Sequence, residues 1–138
     1  LGAPVALYLA AVGVGKLGRA ILGYNRFATQ GFKIVAAFDR DPSLVNKKVG
    51  NLTVQDMAEL GEIIKRRDIQ IGIVAVPASQ AQGVITELEN AGIKAILNYA
   101  PITLAPHKPD EVKIQDIDPV LQLQMMTFHM KNQEQAKK

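Results

Sequence analysis

The strongest chemical signal in this chain of 138 residues is a run of six, Gly13-Val14-Gly15-Lys16-Leu17-Gly18. It lies between an apolar run ending at Val12 and a helical pattern starting at Lys16, the context in which GxGxxG spacing cradles a dinucleotide. Gly13 then allows a tight turn, Gly15 removes the side chain that would obstruct a pyrophosphate, and Gly18 lets helix and strand approach closely. Amides at the opening of the helix face the phosphates, and the helix dipole adds attraction for their charge. Alone, the spacing is weak, because glycine-rich turns also serve packing.

Asp39 strengthens it, standing 21 residues beyond Gly18 at the end of a second apolar run, where an acid suits the adenosine ribose. A carboxylate accepts from both ribose hydroxyls and repels a 2′-phosphate, so the reading is NAD(H) over NADP(H). Arg40 pulls the other way, since a guanidinium beside the ribose could hold that phosphate. Asp39 also fits a plain turn before Asp41-Pro42. Two later segments, Val76-Pro77-Ala78 and Asn98-Tyr99-Ala100-Pro101, fall at strand ends that should open on the same crevice. Pro77 and Ala78 would let a dinucleotide lie close to the backbone, and Asn98 and Tyr99 could meet the nicotinamide ribose or ring. Each segment is equally readable as a proline-containing turn without ligand contact.

A dehydrogenase usually sets an acid-base group beside the hydride position, and no residue makes a convincing candidate. His107 lies in a proline-rich stretch, His129 on the last helical pattern, and Lys94 at the wrong end of a strand. Asp116 and Asp118 form no supported dyad, and no His/Asp/Glu spacing suggests a metal. Without cysteine there is no thiolate nucleophile, disulfide or thiol switch. The sequence reads as a binder of dinucleotide rather than an enzyme that uses it.

These residues must be positioned by short β-branched runs alternating with helical stretches, a rhythm that predicts βαβ units in an α/β, Rossmann-like, doubly wound and mostly parallel sheet. Strands are expected at Val5 to Val12, Lys33 to Phe38, Leu52 to Val54, Ile71 to Val76, Ala95 to Leu97 and Val112 to Ile117. Helices are expected from Lys16 to about Thr29 with an apolar face of Leu17, Ala20, Ile21 and Tyr24, and from an Asp56 N-cap to about Arg67. A further helix, capped by Ser79, should run to Ala91 and close at Gly92. The last begins near Asp118-Pro119. On it Ile117, Leu121, Met125 and Phe128 fall on one stripe and Leu123, Met126 and Met130 on nearly the opposite one. One apolar face would suffice for packing on its own sheet; two favour a helix sandwiched between subunits. The expected division is a nucleotide-binding domain over 1–117 and a dimerisation helix with polar tail over 118–138.

At 48% hydrophobic and 21% charged, the chain fits one compact domain. The run from Val5 to Val12 stops at Gly13, too short to cross a bilayer as a helix. Net charge is +3, and Lys131, Lys137 and Lys138 against Glu134 supply most of it. Lys65-Arg66-Arg67 suits the carbonyl end of a helix better than a nucleic-acid patch. Leu1-Gly2-Ala3-Pro4 lacks the basic start of a signal peptide, so the expectation is a soluble, cytoplasmic protein with no membrane partner, cut from something longer.

Five segments in order resemble the redox-sensing transcriptional repressors called Rex: Val12 to Ala20, Ala36 to Asp39, Val74 to Ala78, Gly92 to Pro101, and Val112 to Asp118. The resemblance implies an NAD(H)-binding domain, NADH preferred, in a homodimer whose terminal helix is exchanged between subunits. It implies repression of operator DNA relieved when the NADH:NAD⁺ ratio rises, with DNA contacts made by an N-terminal winged helix that this chain does not include. By matching position, Gly13, Val14, Gly15, Lys16, Leu17 and Gly18 would hold the pyrophosphate, Asp39 the adenosine ribose, with Arg40 beside it, and Pro77, Ala78, Asn98, Tyr99 and Pro101 the nicotinamide side. Asp118 would couple ligand state to the partner's winged domain. Lys16 stands where that family usually has Asn, and Tyr99 where Phe is usual; the extra cation at Lys16 would reduce discrimination between redox states. An NAD(P)-dependent oxidoreductase fragment and a coenzyme A-binding domain are the alternatives.

Overall fold

A computed structural model of the chain describes residues 6–136, except the side chain of Leu121. Val5, Lys137 and Lys138 and the place of Leu121 in its stripe therefore lie outside the described residues. The chain runs β1 (Leu7–Val12), α1 (Lys16–Leu22), α2 (Arg26–Thr29), β2 (Phe32–Asp39), β3 (Lys48–Val49), β4 (Leu52–Asp56), a 3-10 turn (Met57–Glu59), α3 (Leu60–Arg66), β5 (Ile71–Val74), α4 (Ala78–Asn90), β6 (Ala95–Asn98), β7 (Lys113–Asp116) and α5 (Pro119–Ala136).

Seven strands form one sheet in the order β3-β4-β2-β1-β5-β6-β7, all neighbours parallel except the β3–β4 hairpin. From β1 the chain winds outward to β2 and β4, then crosses back to β5 on the other side of β1, so the winding reverses between β1 and β5. Open α/β sheets bind ligands at such a reversal, beyond the carboxyl ends of the strands. The register aligns those ends: Val12 lies opposite Phe38 and Val74, Asp39 opposite Asp56, and Asn98 opposite Val74 and Asp116.

Alternate strand residues serve opposite faces. Val12, Phe38, Val74 and Ile96 join Leu60, Ile64, Ile85 and Leu88 of α3 and α4 in the main core. Leu9 and Ile73 face the other way, to Ile21 of α1. That second face is thinly covered, for Ile71, Ala75, Leu97 and Tyr99 on it stay half-buried.

Several elements differ from expectation. The helix expected from Lys16 to Thr29 breaks after Leu22, where Gly23, a poor helix former, is the C-cap: its amide makes the last i→i−4 bond, to Arg19, and the Tyr24 amide bonds to Ile21 instead. Leu17 and Ala20 are exposed, and Tyr24 packs edge-on against Phe27 rather than into the core. Ser79 does not cap α4; Pro77 occupies that position and Ser79 falls within the first turn. The strand expected to reach Val76 ends at Val74. Asp56 does cap, accepting from the Ala58 amide at 2.8 Å, but over a 3-10 turn. The β3–β4 hairpin was not expected; two residues, Gly50 (φ +61°) and Asn51, turn it. Gly92, at φ +95°, ends α4 as expected.

Helix α5 begins where Asp118-Pro119 predicted, the Asp118 carboxylate accepting from the Val120 amide at 3.1 Å. None of its described apolar side chains packs into the core of its own sheet. Val120, Leu123, Met125, Met126, Phe128 and Met130 are each at least 59% exposed, and none belongs to a core cluster.

Candidate nucleotide site

The turn after β1 shows which glycines the fold itself requires. Gly13 sits at φ +101°, and a Cβ there would lie 2.5 Å from the Ala75 carbonyl oxygen. A Cβ on Gly18 would collide with the Gly13 carbonyl. Both are fixed by close approach of backbone to backbone. Around Gly15 nothing lies within 4 Å of a Cβ, so no protein atom explains the missing side chain. Gly15 is also the N-cap of α1 and offers no side-chain cap to the amides that follow. Lys16 and Leu17 open α1 on the exposed side, whereas Val14 is buried.

Asp39 reaches this turn directly: one carboxylate oxygen accepts from the Val14 amide at 2.8 Å, the other from the Asp41 amide at 2.9 Å. The turn reading of Asp39 is thus seen, and the same side chain also braces the glycine turn, a contact that neither sequence reading anticipated. Each oxygen keeps a second lone pair. Beyond it the Ser43 hydroxyl and amide donate to Asp41 and hold that carboxyl below its usual range. Arg40 does not extend over the turn; its guanidinium donates to Glu87 of α4 at 2.7 Å.

Pro77 and Ala78 open α4 beside Gly13, since the Ala75 amide donates to the Val12 carbonyl. Asn98 is fully buried, and its amide is spent within the protein. The Nδ2 group donates to Asp116 at 2.9 Å and to the Ile102 carbonyl at 3.0 Å, and Oδ1 accepts from the Ala100 amide at 3.0 Å. Asn98 therefore shapes the turn that carries Tyr99 and Pro101 and presents no free group of its own. Tyr99 is half-buried against the cluster of Leu9, Ile21 and Ile73. Asp118 stands apart from the glycine turn in sequence and caps α5. Among the described residues no group of acids or histidines could hold a metal.

Sequence reasoning missed Glu89, a buried acid on α4 whose side chain is 2% exposed. It accepts from the His107 amide at 2.9 and 3.0 Å and from the Lys108 amide at 3.1 Å, tying down the connection from β6 to β7. The signal available was a single acid adjoining the buried stripe Ala81, Val84, Ile85 and Leu88. Glu89→Ala is expected to cost about 2–3 kcal/mol, because two amides lose a charged acceptor. A thermal melt should show Tm lower by roughly 10 °C. A Tm within about 2 °C of the parent would deny Glu89 this role.

A cleft of about 530 Å³ lined by Phe27, Phe32, Lys33, Asn51 and Arg67 lies at the start of β2, the opposite edge of the sheet from the glycine turn. Strand direction favours the glycine-turn edge for a nucleotide.

A parallel sheet with its winding reversed at a bare glycine turn, and an acid at the end of the next strand, defines a nucleotide-binding domain of the Rossmann type. Residues 8–102 match the model of the CoA binding domain family, and the chain belongs to that family. Its relatives include the redox-sensing transcriptional repressor Rex of Chloroflexus aurantiacus, 47% identical over 96% of this chain and 59% of the relative. Rex 1 of Thermotoga maritima is 39% identical over 88% of this chain and 57% of its own. A crystal structure of the Rex-family repressor RSP superposes with TM-score 0.83 at 32% identity, over 96% of this chain and 63% of that one. RSP is also known in complex with β-NADH, and with β-NAD⁺ and operator DNA. The chain spans less than two thirds of the length of these relatives. The resemblance to Rex, its Rossmann-like fold included, is thereby confirmed, and the relatives are named as repressors, not enzymes.

Proposed function

We propose that this chain is the NAD(H)-sensing and dimerising part of a Rex-type repressor, with a sensor body over 1–117 and an arm over 118–138. The observation that carries the reading is the open space at Gly15, beside the one carboxylate that braces the glycine turn. In this reading the amides that follow Val14 in the glycine turn, Gly15 to Gly18, hold the pyrophosphate, with Lys16 adding a cation; the Val14 amide, already given to Asp39, fixes the turn, and Asp39 accepts from the adenosine ribose. Ala78, Pro77, Tyr99 and Pro101 border the nicotinamide, and Asn98 works from behind their loop.

Bound here, the cofactor supplies a redox-dependent charge on its ring. The side chains assigned to border that ring, Pro77, Ala78, Tyr99 and Pro101, carry no charge, and the Asp116 carboxylate behind them is engaged by Asn98, so burying the cationic oxidised form costs more than burying the neutral reduced one. NADH is accordingly the preferred ligand. Ligand state shifts the assembly only as far as its affinity differs between two arrangements of the dimer. Asp118, at the root of the arm, is the residue suited to pass that shift to a DNA-binding domain of the partner. Support for homodimer formation comes from two uncovered apolar surfaces, the exposed side chains of α5 and the half-buried face at Ile71, Ala75, Leu97 and Tyr99, which a second copy could bring together. Operator binding belongs to a domain outside this chain, and the place of work is the cytoplasm, where chromosome and cofactor pool meet.

The family's description favours a second ligand, coenzyme A. Its adenosine carries a 3′-phosphate, which Asp39 would repel as it would a 2′-phosphate. Calorimetric titration of the purified chain separates the two: NADH should bind more tightly than NAD⁺, and excess coenzyme A should not displace it. Absence of binding by both redox forms, or displacement by coenzyme A at equal concentration, would overturn the proposal.

A further inference from the structure

We infer that Glu87 is a specificity-determining residue that keeps the site selective for NAD(H) over its 2′-phosphorylated counterpart, by holding the Arg40 guanidinium on α4. This rests on the NAD(H) reading above. Arg40 directly follows the acid assigned to the ribose, and a guanidinium is the side chain best built to grip a phosphate in bidentate fashion. Left free, it would partly offset the repulsion that Asp39 exerts on a 2′-phosphate. In the structure it is engaged instead: Nη2 lies 2.7 Å from Oε2 of Glu87, 47 residues away in sequence.

The pair is not locked by burial, as the two side chains are 47% and 41% exposed. It therefore sets a preferred position for Arg40 and does not immobilise it. Glu87 also adds a negative charge on the side from which a phosphate would draw Arg40 away. Lys65 of α3 lines the same groove as Glu87, together with Met57, Leu60 and Asn90. Once Glu87 is neutral, the charge-assisted bond that holds the guanidinium on α4 is lost, and Arg40 is released to meet a phosphate. The acids beside Arg40 in the chain and in the sheet, Asp39, Asp41 and Asp56, each accept from backbone amides, Asp39 from Val14 and Asp41, Asp41 from Ser43, and Asp56 from Ala58. None of them replaces Glu87 as a partner on α4.

The test measures Kd for NADH and NADPH with the 138-residue chain, with Glu87→Gln, with Arg40→Ala and with both changes together. Glu87→Gln is close in shape and stands at a half-exposed position, so the fold should persist. NADPH is expected to bind about fivefold to tenfold more tightly to E87Q, through a released charge-assisted contact. NADH should change by less than about twofold, within the small range of exposed ion pairs. The gain should vanish when Arg40 is alanine, which a general loosening of α4 would not produce. Should E87Q leave the ratio of the two constants unchanged, or keep its gain without Arg40, the inference is wrong while the NAD(H) reading stands. If the unaltered chain binds no NADH, both fall together.

Discussion

Gly15→Val is expected to yield a folded protein that has lost its dinucleotide. The backbone at Gly15, φ −74° and ψ −159°, is extended and open to any residue, and a Cβ there meets no protein atom within 4 Å. The structural cost is confined to placing a β-branched residue at a helix N-cap, about 1 kcal/mol. Binding is a different matter, because an isopropyl group would fill the space the pyrophosphate needs against bare amides. NADH affinity should fall by at least about 100-fold, the weight of two lost charge-assisted hydrogen bonds. Gly18→Ala provides the contrast. Its Cβ would strike the Gly13 carbonyl, and helix and turn must separate to accept it, at a cost of about 4 kcal/mol or more. Circular dichroism melts and NADH titrations of the two variants should therefore diverge: one stable and blind to ligand, the other unstable. Normal NADH binding by Gly15→Val would remove the glycine turn from the site.

That contrast also marks how much of the site was legible in advance. The three glycines and Asp39 declare themselves because their constraints are local: a turn, a helix start and a strand end, all within one βαβ unit. The switch in winding was readable too, since right-handed crossovers leave few ways to order alternating strands and helices. The contacts of Asn98 with Asp116, of Glu89 with the amides of His107 and Lys108, and of Arg40 with Glu87 were hidden. Each joins elements whose meeting depends on sheet register and helix tilt. Asn98 is the instructive case: an amide at a strand end looks the same in sequence whether it faces a ligand or fastens its own loop. The break after Leu22 went unseen because apolar spacing continued through Gly23 to Tyr24, and periodicity carries no information about helix propensity.

On the proposed helix exchange, deleting residues 118–138 should leave a monomer where the full chain sediments as a dimer. Helix α5 holds 18 residues and leaves Val120, Leu123, Met125, Met126, Phe128 and Met130 in water. An isolated helix of this length is marginal, so a surface that binds it is needed to keep it formed. Met125 and Phe128 lie on one stripe, with Leu123, Met126 and Met130 on another, so one flat surface could not cover them all. Insertion between two layers would. Each such side chain contributes about 1.5–3 kcal/mol when fully buried. A symmetric exchange buries two helices, enough to exceed an association cost of about 4–15 kcal/mol. Sedimentation should show the shortened chain as a monomer that tends to aggregate, because Ile71, Leu97 and Tyr99 would lose their cover. Phe128→Asp should weaken the dimer without removing the helix, since a charge at that stripe cannot be buried unpaired. A shortened chain that sediments as the same stable dimer would place the interface elsewhere and leave the apolar surface of α5 unexplained by self-association.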